Sequence, residues 1–407
     1  VISLEAAIRT ALGQHPSIRQ GKAVVDQSKA LVGEQISNYY PQLTGQLAYE
    51  RVKRGFVGGV AGRATVSQFS QYTTGLTGTQ TIYDFGRTGN AVQAARDTLQ
   101  SSRYGLSSTE SSVVLNVKVA YFQVLEALRL LQVANASVAR LKEHLDQAQG
   151  FYGVGLRPKI DVTRARTDLA SGVADQVREG GNVLVAKATL NNTMGVVLGL
   201  GYDVIDVPVQ PLTPSFEPLV AQALDRRPEV KQALAKNKGF EAQVAAARAN
   251  YWPEISGRAD YNYSGDAFPL PNNWDLGATV NVPIFNGLLT ASQVDAAKAV
   301  LRQGLAALET VRQQVRLDVE SSWLNVKAAG EQLAAQREAV RAARENLDLA
   351  QARYREGLGS AVEYTDAQVA LTQAEGNEAQ ALYSLQIAQA QLDRAVAGPM
   401  ALTAPGI

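Results

Sequence analysis

The sequence predicts an α+β membrane protein built twice, in which each half joins long coiled-coil helices to two short strands. Three observations carry this. Tyr39-Tyr40-Pro41 opens a strand-like run and is echoed by Tyr251-Trp252-Pro253, at an offset of 212 residues (251 − 39). Beyond the strands, Val113, Val117, Ala120, Val124, Ala127, Leu131, Ala134, Val138, Leu141, Leu145, Ala148 and Tyr152 alternate spacings of four and three without a slip, the periodicity of a coiled coil. That heptad returns at an offset of 202 (315 − 113), from Val315 to Tyr354. Repetition of this kind argues for one body made of two similar halves rather than independent domains.

The first repeat, 1–198, begins with helical segments over 1–38, broken near Gly13-Gln14-His15-Pro16. Ser3 reads as a helix cap rather than part of a leader; if the protein is exported, this is expected to be the processed chain. Strands follow at 42–50 and 72–83. The Gly-rich, basic stretch 51–70, with Arg51, Lys53, Arg54 and Arg63, reads as a mobile loop; contact with anionic lipid headgroups is one use for it. Helices 88–152 and 160–198 are joined by Gly153-Val154-Gly155-Leu156-Arg157-Pro158. The proline-bearing segment 199–217 is a linker, placed as a belt around the helices. The second repeat, 218–397, has helices 218–250, strands 254–263 and 274–285, and helices 288–354 and 361–397, with Gly357-Leu358-Gly359 as its turn. Residues 398–407 are a tail. The offset falls by about ten between the strands, so the first hairpin loop is the longer, at a loop tip where length variation is tolerated.

Each strand is about ten residues long, enough to cross a bilayer when tilted. Leu43, Gly45, Leu47 and Tyr49 alternate with Gln42, Thr44, Gln46 and Ala48; Trp274, Leu276, Ala278 and Val280 alternate with Asp275, Gly277, Thr279 and Asn281. Tyr39, Tyr40, Tyr251, Trp252 and Trp274 sit at strand ends, where interfacial aromatics sit. Four strands cannot close on themselves, and an open edge in hydrocarbon costs several kcal/mol per unpaired group. If these strands span a membrane, copies of the chain must pool them; closure alone admits dimers, trimers or tetramers.

Composition removes other classes. A net charge of +1 gives no general affinity for nucleic acid, and the absence of cysteine excludes disulfides and thiolate metal sites. No apolar run reaches the ~18 residues of a membrane-spanning helix. No phosphate-binding loop, zinc motif or nucleophile elbow occurs, so no enzymatic activity, cofactor or metal is expected. The two histidines, His15 and His144, read as surface or interface residues.

The chain resembles the TolC family of outer membrane efflux ducts. The residues that carry the likeness are Pro41 and Pro253 before the first strand of each half; Ile82-Tyr83-Asp84-Phe85-Gly86 and Pro283-Ile284-Phe285-Asn286-Gly287 after the second; and the turns Gly155-Leu156-Arg157-Pro158-Lys159-Ile160-Asp161-Val162 and Gly357-Leu358-Gly359-Ser360-Ala361-Val362-Glu363-Tyr364. The resemblance implies a homotrimer in the Gram-negative outer membrane, with a 12-stranded β-barrel in lipid and a periplasmic α-helical barrel. It implies a passive exit duct for efflux or type I secretion, closed at its periplasmic tip. A periplasmic adaptor (a membrane fusion protein) and an inner-membrane pump or ABC exporter would be its partners. It places Glu363, Asp366, Tyr354 and Asp161 at the gate, the acids as a ring and Tyr354–Asp161 as a hydrogen-bonded lock. An ordinary helix start would equally hold acids in its first turn. The lock arginine of the family is replaced by Gly359, so either the closed state is held less tightly or Arg157 or Arg164 on the other hairpin substitutes. Gly155, Leu156, Ala165, Gly357, Leu358 and Ala367 are the expected adaptor contacts. The rival reading is a soluble periplasmic coiled-coil scaffold without channel activity.

Overall fold

A computed structural model describes residues 1–57, 64–197, 199–208 and 215–397. Its elements, in chain order, are α1 (Leu4–Gln14), α2 (Pro16–Ser37), β1 (Gln42–Val57), β2 (Ala64–Tyr83), α3 (Arg87–Gly153), α4 (Lys159–Met194), α5 (Phe216–Arg226), α6 (Pro228–Ala249), β3 (Glu254–Gly265), β4 (Asn272–Asn281), α7 (Leu289–Arg355) and α8 (Ala361–Ala395). Two compact units share them. One takes Val1–Lys22, Tyr104–Lys231 and the chain from Thr310; the other takes Ala23–Arg103 and Gln232–Glu309.

The duplication reaches down to backbone angles. His15 ends α1 at φ −62°, ψ 130° and Arg227 ends α5 at φ −60°, ψ 131°. Each precedes a proline that opens the next helix, and a pre-proline residue is pushed out of the helical region. Helices α3 and α7 each run 67 residues, and both carry their heptad inward: Val117, Val124, Val315 and Val319 are buried. Tyr152 departs from that stripe and is exposed, and Phe151 packs inward in its place.

The unit without strands has its core around Ile8, Ile18, Val117, Tyr121, Leu190 and Met194. The Tyr121 hydroxyl accepts the Ile205 N–H at 2.9 Å and lies within donating distance of the carbonyls of Ile2 and Ile205. Tyr202 donates to the Lys187 carbonyl at 3.1 Å and Lys187 to that of Leu200 at 3.2 Å. These bonds strap 199–208 across the helices. Helix α4 stops at Met194, earlier than the expected 198, because Gly195 turns left-handed (φ 71°). A Cβ there would lie 2.9 Å from His15 Cα, so only glycine fits. The expected tail 398–407 and part of the belt, 209–214, lie outside the described residues.

In the other unit, the strands form one antiparallel sheet in the order β1-β2-β3-β4. The β2–β3 pairing, with Leu76 opposite Tyr261, joins the two halves of the sequence. Register gathers the alternations onto common faces. Leu43, Leu47, Leu76, Tyr261, Trp274 and Leu276 share one side; Thr77, Arg258, Asp260 and Asp275 share the other. The apolar side is bare: Leu47 is 87% and Trp274 73% exposed. On the polar side Arg258 and Thr77 both donate to Asp260.

The expected loop 51–70 is instead strand on both sides of its tip. Pairing continues from Arg51 opposite Ser70 to Val57 opposite Ala64, whereas β3 ends opposite Tyr72. A two-stranded antiparallel ladder satisfies its inward-facing amides without a third strand, so glycines and basic residues did not interrupt it. Residues 58–63, including Arg63, lie outside the described residues. β4 ends at Asn281 instead of 285, ahead of Pro283, which has no N–H for the ladder.

Strand gives way to helix through matched caps. Asp84 accepts from the backbone N–H groups of Gly86 and Thr88, and Asn286 donates to the Thr290 hydroxyl. Phe85 stacks on Trp252 at 5.5 Å between ring centroids. Tyr39, Tyr40, Tyr251, Trp252 and Trp274 are all exposed. No described helix is long and apolar enough to cross a membrane.

Candidate functional site at the helical hairpin turns

The two hairpins turn by the same device. Leu156 N–H donates to the Phe151 carbonyl at 2.9 Å around Gly155 (φ 78°), and Leu358 N–H to the Arg353 carbonyl at 2.8 Å around Gly357 (φ 77°). This is the Schellman arrangement, which needs a left-handed residue just past the helix. Pro158 then opens α4, and Ser360 caps α8 by accepting the Glu363 N–H at 3.1 Å.

The turns differ at one position: the first has Arg157 where the second has Gly359. The Arg157 guanidinium crosses to the second turn, donating to the carbonyls of Gly359 at 3.0 Å and Tyr354 at 3.3 Å. It also lies 4.8 Å over the Tyr354 ring, a cation–π distance. A Cβ on residue 359 would meet the Arg353 side chain at 3.1 Å. Arg157, rather than Arg164, therefore covers Tyr354, and the second turn keeps glycine where that arm arrives.

Beneath the turns is a buried aromatic cluster. Tyr354 from α7 and Tyr364 from α8 stack at 5.8 Å, Phe151 meets Tyr354 edge-on at 5.9 Å, and His144 from α3 lies 5.3 Å from Tyr354 and 4.4 Å from Tyr364. Burial pushes the pKa of the Tyr354 hydroxyl up, and the Asp161 charge adds to this. Burial likewise raises that of Tyr364, helped by Glu143. The expected Tyr354–Asp161 hydrogen bond is not formed within this chain, because the buried Tyr354 hydroxyl has no partner. Asp161 acts on it through charge alone.

Glu363 and Asp366 are exposed one turn apart on α8, and Glu363 pairs with Arg353 at 3.1 Å. Across the hairpins Thr365 donates to Asp168 at 3.4 Å, and Arg355 approaches Glu143 at 3.6 Å. Among the expected partner contacts, Leu156 and Leu358 are 71% and 74% exposed, and Gly155 and Gly357 stand with them at the turns. Ala165 and Ala367 are not available: they are 0% and 3% exposed. Both fall on the inward stripe of their helices, where small size serves helix packing.

His144 corrects the surface reading, being 1% exposed. Its sequence signal was its place beside the Leu141, Leu145, Ala148 stripe, on the flank that widens a coiled-coil seam into a buried face. Sequence reading also passed over Val154, Ile160 and Val362, exposed apolar residues beside the turns. Between α3, α4 and α8 lies a groove of about 420 Å³. Buried Gln368 lines it with neither amide atom hydrogen-bonded. Among the described residues no cluster of three or more histidines and acids could hold a metal ion.

The chain combines duplicated helical hairpins with a sheet whose apolar face is uncovered. The model of outer membrane efflux proteins matches residues 7–196 and again 219–398; the chain belongs to that family. It is 27% identical over 386 residues to the probable efflux pump outer membrane protein TtgC of Pseudomonas putida, covering 90% of this chain and 77% of that one. It is 25% identical over 403 residues to the outer membrane protein TolC of Salmonella enteritidis, covering 94% and 79%. The Campylobacter jejuni CmeC outer membrane channel shares its fold, with a TM-score of 0.83 at 18% identity, covering 97% of this chain and 85% of that one. The chain is thus an outer membrane efflux channel, and the soluble scaffold reading falls.

Proposed function

We propose that three copies of this chain form a closed duct across the outer membrane and periplasm, shut at the hairpin turns until an adaptor biases the turns open. The observation that carries this is the sheet: four strands with unpaired outer edges at β1 and β4 and one uncovered apolar face. Lipid covers such a face, but the edges need strands from other copies. Three copies supply twelve strands, with Arg258, Asp260 and Asp275 lining the lumen. The duct is passive; energy comes from an inner-membrane pump or ABC exporter. At the turns, Arg157 holds the two hairpins together, and Glu363 and Asp366 ring the constriction and favour cations. The adaptor meets Leu156 and Leu358 with Gly155 and Gly357, and its own helices fit the groove floored by Gly172 and Gly376.

The test is extraction and conductance. Trimers stable in detergent, passing ions in planar bilayers, support the reading; a monomer in detergent, or a trimer without current even after Arg157→Ala, overturns it.

A further inference from the structure

We propose that His144 is a proton-operated latch of the hairpin turns: neutral, it holds α3 against α7 and α8; charged, it drives them apart. The proposal rests on the gate reading above and adds to it a control by pH.

Its basis is geometric. His144 fills a socket between Tyr354 and Tyr364, and its Nδ1 is buried with no hydrogen-bond partner. Buried polar atoms are nearly always paired, and here the neighbouring Tyr354 hydroxyl is unpaired as well. In the neutral ring tautomer protonated on Nε2, Nδ1 is an empty acceptor. In the imidazolium it becomes a buried charged donor facing no acceptor, which is far more costly.

The charged and titratable groups around the ring come from four elements and the first turn. Asp161 and Asp168 on α4 both favour a charge on His144. Tyr354 and Arg355 lie on α7, Tyr364 on α8, and Arg157 in the turn. On α3 itself Glu143 is matched by Arg355, and Arg140 by Glu375 at 3.2 Å. The tyrosine faces attract a cation and offset part of its cost. Burial nevertheless outweighs the two aspartates and holds the His144 pKa below the ordinary histidine value.

The direction of the linkage follows. A closed tip binds fewer protons at His144 than an open tip whose ring is wetted. Acidification through the ordinary histidine range, near ~6.5, favours the open form; above that range the closed form keeps its full stability. Three copies around one axis sharpen the response. Because His144 bridges two hairpins that opening must separate, its proton is read by the gate and not only by local stability.

The experiment uses reconstituted full-chain trimers in planar bilayers, with current recorded from about pH 7.5 to about pH 5.5, the range in which histidine changes charge. The wild type is expected to open on acidification. His144→Phe, which keeps the aromatic packing but binds no proton, is expected to lose that opening; His144→Gln serves if the first variant does not assemble. On the same trimers, NMR of labelled imidazole carbons follows the protonation of His144, which the chain's only other histidine, His15, cannot obscure once one is substituted. Concurrent protonation, movement of the Tyr354 and Tyr364 ring signals and a rise in current support the latch. A rise that survives in His144→Phe, or a flat current while His144 titrates, overturns it. Current absent at every pH, including in Arg157→Ala, sinks the channel reading instead; the latch then stands or falls on whether the tyrosine signals move with the His144 proton.

Discussion

Arg157 shows how much one side chain can do at a turn. It makes two hydrogen bonds to backbone carbonyls of the other hairpin and covers the Tyr354 ring. Charge-assisted bonds of this kind contribute about 1.5–3 kcal/mol each when well shielded; this one is half-buried, so about 1–2 kcal/mol in total is the reasonable scale after solvent screening. Arg157→Ala is therefore expected to raise the open fraction roughly five- to thirtyfold, read as single-channel current or open probability. Tyr354→Phe has the opposite character. Its hydroxyl is buried without a partner, so removing it leaves the closed form as stable or slightly more so. Current should stay at the wild-type level in Tyr354→Phe and rise in Arg157→Ala; the reverse order would place the lock on the tyrosine hydroxyl. The resemblance directed attention to Tyr354 and Asp161 and to a missing arginine. Which arginine fills the gap depends on how two turns from distant parts of the chain lie together, and no local spacing encodes that.

At the scale of elements, the helix ends were readable because glycine and proline act locally. His15-Pro16 and Arg227-Pro228 break their helices with nearly the same angles, and Gly155 and Gly357 close both hairpins left-handed. Gly195 does more than end α4, since a Cβ there would meet His15 and Pro16. Gly195→Ala meets both a left-handed penalty of about 1 kcal/mol and that contact. It is expected to lower the thermal midpoint of the protein by a few degrees without changing its current; an unchanged midpoint would mean that the α1–α2 break yields freely. The hairpin β1–β2 was harder to read. Glycine and arginine in 51–57 are poor local strand signals, and the ladder there is held by pairing across the hairpin, which residue preferences do not report.

At the scale of the whole molecule, duplication makes the chain economical: one set of rules builds both hairpins, and the differences between copies mark places of special use. The first turn carries Arg157 and the second Gly359; α3 carries His144 where α7 has Asn346, and α8 carries Asp366 where α4 has Arg164. The exposed leucines, in contrast, are shared by both turns. Leu156→Asp is expected to abolish export while leaving detergent-stable trimers and bilayer current intact, because Leu156 is 71% exposed and its backbone supplies the turn. Export that survives this change would remove Leu156 from the partner surface; trimers lost with it would make the residue structural.

The sequence by itself determined the duplication, the helix and strand order, the turns, and the alternation that puts apolar side chains on one sheet face. Each of these depends on neighbours within a few residues, through backbone sterics and a period of two or about three and a half. Only the tertiary structure decided that β2 pairs with β3, that the hairpin ladder continues through 51–57 and 64–70, that Ala165 and Ala367 face inward, and that Arg157 and His144 meet Tyr354. Those outcomes join residues far apart in the chain. They follow from which faces can be buried together and which polar atoms then find partners, conditions set by packing rather than by local sequence.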